Sequence, residues 1–185
     1  MQAMLRRVAG FLRRRAGSIS RFRRAQDGAT AVEFAIIAAP FLATLIAIFE
    51  TTIFLFAQAT LQNAATEAGR LFMTGQAQNG SWTSTTIQNK VCPLISALFT
   101  CSNVIVVVQN YSNFASASTS APQLYNNGTP ITSFTYNPGT PGEVMVVQLV
   151  YKWPVVGGPL GFTLANLTNN TAEIMGVSAF RVEPY

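Results

Sequence analysis

The sequence predicts an α+β protein: a long N-terminal membrane-spanning helix that continues into a stem, packed on a small antiparallel β-sheet module. Three observations predict it. The run from Gly28 to Ala57, GATAVEFAIIAAPFLATLIAIFETTIFLFA, holds only two charges, Glu33 and Glu50. Beyond it Phe54, Ala57, Leu61, Ala64, Ala68 and Leu71 recur at alternating three- and four-residue spacing, the signature of one helix face. From Gln76 the composition turns to Gln, Asn, Ser and Thr, broken by short β-branched runs such as Val104–Val108.

Charge divides the chain before any element is placed. Residues 1–28 hold eight Arg and one Asp, whereas residues 29–185 hold four basic and six acidic side chains. The basic excess therefore belongs to the leader. A basic tail can mark nucleic-acid binding, but no folded reader accompanies this one. Beside a membrane span the same charge keeps its flank in the cytoplasm and is compatible with anionic lipid. The expected organisation is a basic cytoplasmic leader over 1–28, a transmembrane and stem helix over 29–75, and a periplasmic or otherwise extracytoplasmic α+β domain over 76–185.

The helix comes first. Ala29 to Ala57 is 29 residues, about 43 Å as a helix, whereas about 20 apolar residues cross a hydrocarbon core of about 30 Å. A secretory signal has a shorter apolar region followed by its small-residue cleavage site. Here the small-residue break, Gly28, precedes the apolar region, so scission after Gly28 leaves the apolar segment as the new N-terminus. Glu33 is costly near hydrocarbon unless it is paired. A free ammonium on Ala29 would lie four residues before it on the same helix face; the alternative is that Glu33 sits among lipid headgroups. Pro40 predicts a bend within the span. If the span starts at Ala29, Glu50, about 31 Å along the helix, falls at the outer interface, the favoured placement; if it starts near Ala35, Glu50 is buried and needs a cation or a proton. Gly75 is the expected stop.

Gly28-Ala29-Thr30-Ala31-Val32-Glu33-Phe34, behind a basic leader and at the head of the apolar helix, resembles the processing site of type IV pilin-like proteins. GATAVEFAIIAAPFL together with QNAATEAGRLFMTG is similar, more narrowly, to the TadE-like proteins of tight-adherence (Flp-type) pilus systems, and AFRVEPY resembles the end of that family. The resemblance covers residues 25–75 and the last ten; the middle of the chain is outside it. It implies scission between Gly28 and Ala29 by an inner-membrane prepilin peptidase. It also implies that Glu33 answers the new amine of its own or a neighbouring chain, which sets filament register.

In the remaining sequence, Trp82–Val91 and Leu94–Phe99 read as short helices on either side of Pro93. Val104–Val108 reads as a buried strand and Tyr111–Pro130 as loop, with NNGTP as turn chemistry. Ile131–Tyr136 reads as a second strand, Asn137–Gly142 as a turn and Glu143–Trp153 as the clearest strand. The odd positions of that strand, Met145 to Trp153, are all apolar, and its other face carries Gln148 and Lys152. Pro154–Gly161 is a glycine- and proline-rich loop, and Thr171–Val182 a last strand. Cys92 and Cys101 fall after the span; a single disulfide closing a short loop is the natural reading outside the cytoplasm, and two buried thiols the alternative. Five Asn-x-Ser/Thr triplets, at Asn79, Asn110, Asn127, Asn166 and Asn169, fit a surface-facing module, although in a segment this rich in Asn, Ser and Thr chance explains most of them.

The chemistry of catalysis is thin. The chain has no His, hence no imidazole base or His metal ligand. After the leader the carboxylates are scattered, and Gly157-Gly158 lacks the Lys and the following helix of a phosphate loop. No enzyme, cofactor or metal site is expected. The expected function is that of a non-enzymatic TadE-like pseudopilin or minor pilin, with the inner membrane, a prepilin peptidase and other pilus subunits as partners and no nucleic acid. The alternative is an uncleaved single-pass anchor displaying a periplasmic binding module.

Overall fold

A computed structural model describes residues 28–158 and 161–184. The leader read as a topology signal lies outside the described residues, Gly28 excepted. Two units are distinguished, one ending at Ile46 and the other running from Ala47 to Tyr185.

Helix α1, Ala29–Met73, is continuous through Pro40. The proline ring removes the N–H that would reach the carbonyl of Ile36. Thr44 Oγ1 donates to Pro40 O at 2.9 Å, the first of several threonines that bond back to the preceding turn. The helix stops where expected: Gly75 takes a left-handed φ of 74° and its N–H caps Phe72 O. Before Ile46 the side chains are mostly apolar, Glu33 and two threonines excepted, and nearly all exposed. From Ala57 one face is fully buried: Ala57, Leu61, Ala64, Ala65, Ala68 and Phe72. Phe72 replaces the expected Leu71 as the last buried position, because the 3.6-residue repeat drifts from a strict heptad.

That buried face lies on a three-stranded antiparallel sheet of order β1-β4-β5, with β1 Ile105–Tyr111, β4 Val144–Pro154 and β5 Thr171–Arg181. Pairing is continuous over eleven positions between β4 and β5, from Val144 opposite Arg181 to Pro154 opposite Thr171. Val106, Val108, Met145, Val147, Leu149, Tyr151 and Ile174 form the core with the helix. The α+β architecture expected from the sequence is therefore the one observed.

Three local expectations are corrected. Trp82–Val91 and Leu94–Phe99 are not two helices: one helix, α3 Ser84–Ile95, contains Pro93, preceded by the single turn α2 Gln76–Asn79. The N–H that Pro93 lacks would have bonded to Asn89 O. Both residues are on the exposed side of α3, where water can take the place of the lost donor. Ile131–Tyr136 is not a strand, apart from a single bridge from Tyr136 to Val108. Its backbone is claimed at both ends, Ile131 N–H by Leu124 O and Thr135 O by Val108 N–H, and it splays from β1 between them. Tyr111–Pro130 is not all loop: β2 Tyr125–Asn126 and β3 Thr129–Pro130 close a hairpin on Asn127-Gly128, both at positive φ. Both faces of β4 are buried as far as Tyr151, since the segment before Leu124 covers the second face and Ser120 O accepts from Gln148 Nε2 at 2.8 Å.

Candidate functional site: the helix head and its docked stem

Gly28 and Ala29 are both exposed, and a Cβ built at Gly28 would meet no heavy atom within 4 Å. Gly28 also lacks the positive φ that demands glycine. Neither backbone conformation nor packing among the described residues requires a glycine here. Glu33 is exposed four residues beyond Ala29, and the described residues offer it no ion pair; the one they contain joins Arg70 Nη1 to Glu67 Oε2 at 3.1 Å. In the intact chain the Ala29 nitrogen is an amide. Breaking the Gly28–Ala29 bond converts it into an ammonium one turn from that carboxylate, close enough along the helix for a pair within or between chains.

The apolar helix is long enough to cross a membrane, and only 6 % of its most apolar stretch is buried. A core helix of a soluble protein would be mostly covered. Phe34 and Ile37 are 74 % and 70 % exposed. Such a surface needs lipid or other helices around it.

The stem is held differently. β5 is an edge strand, whose outward N–H and C=O groups would otherwise template a further strand. Gln62 answers them with its amide: Nε2 donates to Val177 O at 2.7 Å and Oε1 accepts from Val177 N at 3.0 Å. Gln58, one turn earlier, donates to Met175 O at 2.7 Å. The helix approaches so closely that a Cβ at Gly176 would lie 2.4 Å from Leu61 O. Sequence reasoning places Gln58 and Gln62 only as polar residues between stripe positions and misses Gly176. The available signal is two Gln at i and i+4 flanking an Ala-rich stripe.

The Cys pair is joined: Cys92 and Cys101 form a disulfide with Cα atoms 5.6 Å apart, linking the last turn of α3 to the turn that enters β1. Gln88 Nε2 braces that turn, donating to Cys101 O at 2.7 Å and Val104 O at 2.8 Å. At the far end of β4 the Asn137–Gly142 turn is tied down by Glu143, whose carboxylate accepts from Thr140 N at 2.7 Å and from Asn110 Nδ2 at 3.1 Å. Those bonds, the Thr140 amide first, hold the Glu143 carboxyl below its ordinary range. Arg181 Nε donates to Gly142 O, and Glu183 N donates to Met73 O, which fastens the end of the chain to the end of α1. Burial pushes the Tyr136 phenol up to about 12, while its hydroxyl donates to Trp82 O.

A cleft of about 330 Å³ opens where residues 131–134 leave β1. Its lining, which includes Ser84, Gln88, Val106, Thr132 and Phe134, holds no titratable side chain. Among the described residues no cluster of His, Cys, Asp or Glu could hold a metal.

Residues 28–70 match the family model described as TadE-like protein. No curated protein and no solved structure matches the chain. The match begins at Gly28 and ends at Arg70, so it covers the helix head, the apolar run and the docked stem.

Proposed function

We propose that this chain, TadE-like through its helix, acts as a non-enzymatic pseudopilin or minor pilin in assembly of a tight-adherence (Flp-type) pilus. In this reading residues 1–28 stay in the cytoplasm, α1 crosses the inner membrane once, and residues 76–185 lie in the periplasm. A prepilin peptidase cuts after Gly28. The Ala29 ammonium so formed pairs with Glu33, in the same chain or between subunits, and fixes the axial register of helices packed side by side. Pro40 adjusts the line of the helix within that packing, and the disulfide suits the oxidising side of the membrane.

The observation that carries the reading is where the family match begins. It starts at Gly28, the residue after which the chain would be cut, although no packing among the described residues demands glycine there. A requirement imposed from outside, by a peptidase that admits only a small side chain, accounts for it.

Intact mass tests the proposal. Protein isolated from its own cells should begin at Ala29. Gly28→Leu, which meets no steric obstacle in the described structure, should leave only full-length chain while the folded module persists. Glu33→Gln should still be cut but should fail to enter filaments. Recovery of the full-length chain alone from cells with an active peptidase would overturn the processing step. Normal assembly of Glu33→Gln would overturn the pairing.

A further inference from the structure

The hydrogen bonds between stem and β5 show how far the sheet reaches along the helix. Gln58 bonds to Met175 O, Gln62 to Val177 O, and Met73 O receives Glu183 N. Fifteen helix positions thus run beside eight strand positions, as rises of about 1.5 and 3.3 Å require. Followed back from Gln58 at that ratio, the last paired residues of the sheet, Pro154 and Thr171, lie level with about residue 50. Glu50 is the residue expected at the outer edge of the bilayer.

The loop that joins β4 to β5 therefore turns at the level where the helix leaves the membrane. From Trp153 to Ala172 the chain has no Asp, Glu, Lys or Arg. Val156 is 80 % exposed, the most exposed large apolar side chain among the described residues. Backbone bonds flank it on both sides, from Val155 N to Asn170 O and from Gly158 N to Phe162 O. Half-buried Trp153 stands at its base, edge-on to Phe99 at 5.7 Å, with half-buried Phe54 of the stem packed on the same core. An uncharged turn with an exposed apolar residue and a Trp at its foot suits the zone between headgroups and acyl chains.

We infer that the β4–β5 turn around Val156 is a second, peripheral membrane contact, which seats the module against the bilayer that α1 crosses. The inference rests on the proposed span and goes beyond it: the family signature stops at Arg70 and says nothing of this turn. Seated at two places, the module loses freedom to swing on its helix, and the stem face is presented in one orientation.

The test uses the full chain in phosphatidylethanolamine/phosphatidylglycerol vesicles. With the native disulfide closed, Val156→Cys provides one free thiol for an environment-sensitive nitrobenzoxadiazole dye. Exposed Thr140, in the turn at the opposite end of β4, provides the aqueous control as Thr140→Cys, and Phe41→Cys reports the span. The dye at residue 156 should be blue-shifted and quenched several-fold more strongly than at 140 by lipids spin-labelled high on the acyl chain. Lipids labelled deep in the chain should quench the dye at 41. If 41 is quenched and 156 behaves like 140, the contact is wrong and the span stands. If 41 is not quenched, the span itself is wrong. A blue shift at 156 without lipid quenching, growing with protein-to-lipid ratio, would overturn the contact in favour of a second copy covering the loop.

Discussion

The two halves of α1 are built from the same apolar alphabet and arrive at opposite fates. Up to Ile46 the large side chains Val32, Phe34, Ile37 and Phe41 point outward all round the helix, each at least 60 % exposed. From Ala57 the buried face is mostly alanine, with no exposure at Ala57, Ala64, Ala65 and Ala68, while Thr66 and Arg70 face water. The difference teaches that hydrophobicity alone does not say what a helix packs on. Uniform apolarity with bulky residues calls for a fluid or helical surround. A narrow stripe of small residues calls for one close, shaped partner, here a sheet opened by Gly176.

The largest effect that would sharpen this contrast is expected at Gly176. Its Cβ position lies 2.4 Å from a backbone oxygen, Leu61 O, and 3.0 Å from Ala65 Cβ. A flexible side chain could yield there; two packed backbones cannot. Gly176→Ala should destabilise the module by about 3 kcal/mol, read from guanidinium unfolding of the full chain in detergent by the fluorescence of Trp82 and Trp153. Phe41→Ala removes more atoms from the other half and should leave that transition unmoved. Equal effects of the two substitutions would break the comparison.

A smaller effect is expected at Gln62. Gln62→Ala leaves both Val177 groups without their amide partner at a half-buried edge, a loss of about 1–2 kcal/mol. Gln62→Glu is the sharper probe: its carboxylate still accepts from Val177 N but faces Val177 O with no proton to donate. It should be destabilised near neutrality and recover as acid protonates it. Indifference of the unfolding midpoint to both substitutions would mean that apolar burial alone docks the stem.

The docked half and the free half were legible to different degrees for the same reason. The apolar run, the stripe, Gly75 and the long strands β4 and β5 are periodic over many residues, so composition suffices to place them. The proposed site at Gly28, Ala29 and Glu33 was visible in the sequence because it is a local motif at the head of the apolar run. What escaped depends on partners distant in sequence. Ile131–Tyr136 has the side chains of a strand, but Leu124 and Val108 hold its ends and leave its middle unpaired. Asn127-Gly128 is recognisable as a turn, yet strands of two residues are too short to show a period. Gln148 looks like a solvent-facing residue, and only the Ser120 carbonyl lying over it explains its burial.

The smallest expected effect concerns the end of the module farthest along the stem, where charge rather than packing does the fastening. The Glu143 carboxyl is held below its ordinary range chiefly by the Thr140 amide and then by Asn110. A carboxyl with a lower pKa folded than unfolded contributes stability that is full above the unfolded value and is lost as pH falls through the folded one. Glu173, raised by burial with Oε1 unpartnered, has the opposite sign: its contribution is full below the unfolded value and is lost as pH rises through the folded one. Acidification should therefore first relieve Glu173 and only then release Glu143. Melting temperatures of the wild type and Glu143→Gln, measured from about pH 6 to about pH 2 across the carboxylate range, should differ at the upper end and converge at the lower, by an amount kept small because solvent screens the Glu143 carboxylate. A gap that persists unchanged to the acid end would show that the bonds to Thr140 and Asn110 do not depend on the charge, and that this turn is fastened by shape, as the stem is.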